Sequence, residues 1–138
     1  MINYSAVQTI LNTQLKTVVG LPTYTEENVK AVPDSTVPWC RSTLLPAETQ
    51  IIGIGTGGQR KDQGLYQIDI YWPQNSGSLD ANTMGDLIQN SFVRGTYYIN
   101  GTVKVLIDSV YRLPAGPLTG TVFYHIPLMV RWSYYDQG

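Results

Sequence analysis

A chain of 138 residues, 43% of them apolar and 14% charged, is long enough for one domain with its own core and too apolar for a disordered one, so residues 1–138 read as a single domain. Nine Lys and Arg against ten Asp and Glu give a net charge of −1, far from the cationic field that duplex binding requires, and sequence-specific nucleic acid recognition is not expected. No apolar run reaches membrane-spanning length, no basic and then apolar leader follows Met1, and the single Cys40 can form no internal disulfide, which together predict a cytoplasmic protein without a membrane partner.

Val7, Ile10, Leu11, Leu15 and Val18 recur at helical spacing from Ser5 to Val18, with Ser5 and Gln8 in capping-box form and Gly20 and Pro22 as stop signals. The stretch from there to Val37 carries Pro22, Pro33, Glu26, Glu27 and Asp34 and reads as an extended connection. Trp39 to Leu45 is the first predicted strand. Gln63 to Trp72 is the second, with Tyr66, Ile68, Ile70 and Trp72 alternating against Leu65, Gln67, Asp69 and Tyr71.

Between them Gly53 to Gly64 reads as a mobile hairpin tip that contains the charged run Arg60, Lys61 and Asp62. After Pro73 a second helix is predicted near Asp80 to Val93, capped by Asp80, stapled by Leu79 on Met84, buried through Met84, Leu87, Ile88 and Phe92, and stopped by Gly95. Tyr97 to Asn100, Thr102 to Leu113 and Thr121 to Tyr135 read as strands, the first two joined by a tight Asn100-Gly101 turn. Pro127 predicts an edge position or a bulge for the last strand. The fold class is therefore α+β: a mixed, mostly antiparallel sheet with two helices on one face, in the order α-β-β-α-β-β-β.

No residue pattern adds up to a catalytic, cofactor or metal site. Gly53, Gly55 and Gly58 match a dinucleotide-binding glycine motif, but a strand follows them where the pyrophosphate would need a helix N-terminus. His125 is the only histidine and falls mid-strand, where a solvent or subunit contact is the ordinary role; Cys40 reads as a structural thiol. Asp69, Asp86 and Asp108 could serve a small hydrolase, with Asp69, Asp108 and His125 as its working groups, only if two carboxylates met in space. One His, one Cys and no clustered acids speak against metal. Ten tyrosines against two phenylalanines, paired at Tyr97-Tyr98 and Tyr134-Tyr135, suit surfaces that are wet before assembly and buried after it.

The run from Trp39 through Pro46, the glycine-rich gap, the segment Gly64 to Pro73, and the helix from Ala81 to Phe92 together resemble the tail terminator, or tail completion, proteins of long-tailed bacteriophages, and the resemblance extends over nearly the whole chain. It implies a structural virion protein: a ring, typically of six subunits, at the head-proximal end of the tail, bound to the tail tube protein on one side and to the head-tail connector protein on the other. Arg60, Lys61 and Asp62 are then candidates for contact with the tube or a neighbouring subunit, and Arg41, Asp69 and Arg131 for ion pairs between subunits. Removal of Arg60 to Asp62 is expected to spare the fold. A head-tail connector component or a minor tail protein is the alternative within the same structural class.

Overall fold

A computed structural model describes residues 2–26, 37–51, 60–74, 78–117 and 123–136. Its elements are α1 (Tyr4–Lys16), β1 (Thr23–Glu26), β2 (Trp39–Ile51), β3 (Arg60–Pro73), α2 (Leu79–Ser91), β4 (Tyr97–Asn100), β5 (Val103–Arg112), β6 (Gly116–Pro117) and β7 (Phe123–Asp136). The strands form one sheet in the order β1-β2-β3-β7-β5-β4, with β6 paired to β7. Only the β1–β2 pair is parallel. The predicted α+β class holds, with β1 and β6 as two short strands beyond the expected order. β1 arises inside the predicted connection, where Tyr24 anchors it by a 2.7 Å hydroxyl contact to Ser42 of β2.

Both helices pack on one face of the sheet. All five predicted apolar positions of the first helix are buried, and Ala81, Met84, Ile88 and Phe92 supply the second. They close over Tyr66, Ile68 and Ile70 of β3, Ile126 through Tyr134 of β7 at alternate positions, and Val103, Val105 and Ile107 of β5, as period-two strands and a 3.6-period helix require. Leu87 is on the rim instead, 46% exposed.

The caps differ from expectation. Asn3, rather than Ser5, caps α1 by accepting from the Ala6 N–H at 3.1 Å, and Ser5 donates to the same Asn3 oxygen. Leu79 begins α2 in place of stapling it, 77% exposed, with Ser78 at the N-cap. The helices end at Lys16 and Ser91, with Thr17 and Phe92 as C-caps, so Gly20 and Gly95 lie in the loops that follow, with φ of +77° and +84°, and Gly101 turns β4 into β5 at +63°, conformations that glycine adopts without a Cβ penalty.

The predicted edge position of the last strand is wrong: β7 is central, between β3 and β5. The Pro127 carbonyl points away from β3 and accepts the Leu113 N–H at 3.0 Å. Its missing N–H therefore falls on the same side, in the gap where β5 has ended opposite Leu128 and β6 begins opposite His125. A proline is thus accommodated in a central strand because the neighbouring strand is interrupted there. The bulge is in β5, where the register slips between Ile107 and Ser109 at Asp108.

Candidate assembly surface

Strand pairing places paired residues on one face, so the helix-free face is read directly from the register. Its first row is Trp39–Tyr71–His125 across β2, β3 and β7. The Trp39 and Tyr71 rings stack at 4.1 Å, Tyr71 and His125 at 5.0 Å, and Phe123 meets Trp39 edge-on at 6.1 Å. This stack leaves Trp39 only 8% exposed on a face no helix covers.

The second row is Arg41–Asp69–Pro127. Asp69 is buried and takes its bonds from its own chain: His125 Nε2 at 2.7 Å and the Gln67 amide at 2.8 Å. Arg41 stands directly opposite Asp69, yet its guanidinium lies 5.1 Å over the Trp39 ring. The Arg41 Nε and the Trp39 indole N–H are both buried without an acceptor. Two orphaned donors side by side are costly unless something supplies an acceptor.

The same pattern recurs across the face. Lys104 lies 4.8 Å over the Tyr97 ring and Arg131 6.0 Å over Tyr111. These cations rest on aromatic faces, and neither Arg41, Lys104 nor Arg131 is ion-paired among the described residues. The tyrosine pairs split between faces as alternation demands: Tyr97 is 51% exposed while Tyr98 packs inward, and Tyr134 is buried while Tyr135 meets Tyr97 at 6.4 Å on the outer face.

Arg60, Lys61 and Asp62 begin β3, before the predicted strand start, paired with Ile51, Gln50 and Thr49. Asp62 is the first of them to reach β7, opposite Tyr134. Arg60 and Lys61 thus stand on a two-stranded ribbon extending past the described end of that pairing. The register of β2 against β3 slips between Leu45 and Glu48, around Pro46 and Ala47, which is how β2 continues six residues beyond the predicted Leu45. Because the three charged residues are paired, removing them would shift the ribbon register and reverse its faces, so substitution is the sound way to probe them. Residues 53–59 of the predicted tip, including Gly53, Gly55 and Gly58, lie outside the described residues, while Gln63 and Gly64 belong to β3.

The enzyme alternatives find no support in this geometry. Asp69 bonds His125 and Gln67, Asp108 bonds Ser133 Oγ and Gln63, and Asp86 pairs with Arg112, so no two of these carboxylates share a partner. No hydroxyl or thiol bonds the His125 ring among the described residues. Cys40 is fully buried on the helix face, and burial pushes its thiol from 9.0 up to about 12, the reverse of an activated nucleophile. The described residues contain no group of three His, Cys, Asp or Glu placed to hold a metal ion.

The family model described as phage tail terminator protein matches residues 4–132. The chain belongs to the phage tail terminator family. It is therefore a structural protein of the virion tail and not a hydrolase. No curated protein matches it. Among solved structures, a chain titled as part of the virion of a native gene transfer agent particle is 16% identical with a TM-score of 0.60, covering 95% of this chain and 96% of that one. Another, whose title states no function, is also 16% identical, with a TM-score of 0.70 and coverage of 98% and 94%. At that identity these two likenesses concern the fold of the terminator.

Sequence reasoning missed the Trp39–Tyr71–His125 row and the orphaned donors beside it. Each strand's alternation was visible, but the row depends on register, which no single strand carries. It also passed over Arg94, which stands just past α2 with neither a hydrogen bond nor an ion pair among the described residues.

Proposed function

We propose that this terminator closes into a ring, six subunits in the form expected of the family, on the head-proximal end of the tail tube, where it stops addition of tube protein and offers its opposite side to the head-tail connector protein. The observation that carries the reading is the family match across residues 4–132. The helix-free face suits it: aromatic rings and guanidinium groups are the residue types that interfaces favour at their centres. Arg41 and Arg131 remain the candidates for pairing with acids of a neighbour, while Asp69 serves as the internal partner of His125. Arg60 and Lys61, carried on the ribbon with Asp62 at its base, are candidates for the tube or the adjacent subunit.

The reading is tested by adding the purified protein to isolated tail tubes and counting bound copies by native mass spectrometry, with electron microscopy to locate them. Six copies at one end of each tube are expected. Binding along the tube wall, or to heads and not to tubes, would overturn it. Arg60→Ala with Lys61→Ala should weaken end binding while leaving the circular dichroism spectrum unchanged.

A further inference from the structure

We propose that the two ends of α2 form the two halves of one contact between neighbouring copies, with the Leu79–Asp80 end of one copy seated in an arginine-lined groove at the other end of the helix in the next. This rests on the ring reading above and assigns it a specific contact.

The groove has a volume of about 540 Å³ and is lined in part by Gln63, Arg94, Leu106, Asp108, Ser109 and Arg131. Arg94 and Arg131 are both exposed and neither is ion-paired among the described residues. Asp108, the carboxylate in the lining, accepts from Ser133 Oγ and the Gln63 amide and is ion-paired to neither arginine among the described residues, so its single negative charge leaves the groove net positive. The β5 bulge at Asp108 sits against this groove, and the Arg94 loop is fixed to the strand by Gly95 N–H to Ile107 O at 2.8 Å and Ile107 N–H to Thr96 O at 3.0 Å. Two arginines that line one groove from a braced backbone can both donate to one incoming carboxylate, which accepts from more than one guanidinium.

The complementary group lies at the other end of the same helix. Asp80 is exposed in the first turn of α2 and makes no hydrogen bond or ion pair among the described residues. Leu79 beside it is 77% exposed, and Val93 beside Arg94 is 55% exposed, so each half joins a charge to an apolar side chain. α2 has 13 residues, a length of about 20 Å at the helical rise, so the carboxylate and the groove cannot meet within one copy. A contact between unlike patches propagates head to tail and gives a ring when its rotation closes. The occupant is therefore a second copy of this chain.

Two full-length variants test this: Asp80→Arg, and Arg94→Glu combined with Arg131→Glu. Each alone places like charges in every contact and should lower ring formation on tail tubes, read by native mass spectrometry, by roughly tenfold or more. Mixed in equal amounts they should recover rings in which the two variants alternate. The proposal is overturned if either variant alone forms rings as the native protein does. It is overturned equally if both, with native melting temperatures, fail alone and stay apart when mixed. Normal rings that no longer hold the tube would assign the groove to an acid of the tube protein and overturn it as well. Failure of the native protein itself to assemble on tubes would instead count against the ring reading.

Discussion

Across β3 and β7, on the face turned away from the helices, His125 Nε2 and Asp69 Oδ1 lie 2.7 Å apart while the imidazole stacks on Tyr71 at 5.0 Å. A histidine and a buried aspartate in contact could be taken for half of a catalytic arrangement, but here each residue's neighbours are structural. Asp69→Ala should leave His125 and Gln67 without their acceptor and destabilise the fold by about 1–3 kcal/mol in urea titration. Asp69→Asn, which keeps an acceptor oxygen in place, should lose less. Equal losses from the two variants would contradict the assignment.

Gly64, expected in the hairpin tip, is a buried residue of β3 opposite Trp132. A Cβ there would collide with the Trp132 ring, so the indole lies over the strand only because the position is glycine. Gly64→Ala should cost about 1–3 kcal/mol through overpacking and shift the tryptophan fluorescence. An unchanged denaturation midpoint would show that the ring moves aside freely.

Under α1, the Asn12 side-chain oxygen accepts from the Tyr66 hydroxyl at 2.5 Å and from Ser42 Oγ at 3.2 Å. These groups are buried, so the contacts satisfy polar atoms that would otherwise be stranded beneath the helix. Tyr66→Phe should therefore destabilise by about 1–2 kcal/mol with little change in packing. Calorimetry of the variant checks this, and a gain in stability would contradict it.

Burial raises the Cys40 thiol from 9.0 to about 12, so the unfolded chain ionises it before the folded one does. The associated stability is whole below pH 9 and is lost as pH rises through about 12. Burial also raises the Tyr66 hydroxyl, which adds alkaline loss of the same sign. Urea midpoints should fall between pH 9 and pH 11, and less steeply in Cys40→Ala. At pH 8 the native protein should resist thiol reagents that label it once unfolded. Identical alkaline slopes, or rapid labelling of the native state, would place Cys40 at the surface.

The legible parts of the molecule were those fixed by local periodicity. The stripe from Val7 to Val18, the alternation of Tyr66, Ile68 and Ile70, and the turn at Gly101 all follow from spacing along one segment. Position within the sheet does not. Pro127 pointed to an edge because the rule concerns a missing N–H, and only the interruption between Arg112 and Gly116 in the neighbouring strands makes a central place tolerable. The candidate assembly surface was legible only in that Arg41, Asp69 and Arg131 share the helix-free face. It was not legible in its contacts: Asp69 turns to His125, Arg41 lies on Trp39, and Arg94, from the loop after α2, lines the same groove as Arg131 of β7.

Tail length in particles made without this protein tests the central claim most directly. Electron microscopy of such lysates should show tubes of uncontrolled length without heads, and addition of the purified protein before tubes overgrow should restore a uniform length and joined heads. Tails of normal length attached to heads, or normal tails beside filled heads that leak DNA, would contradict a terminator at the end of the tube.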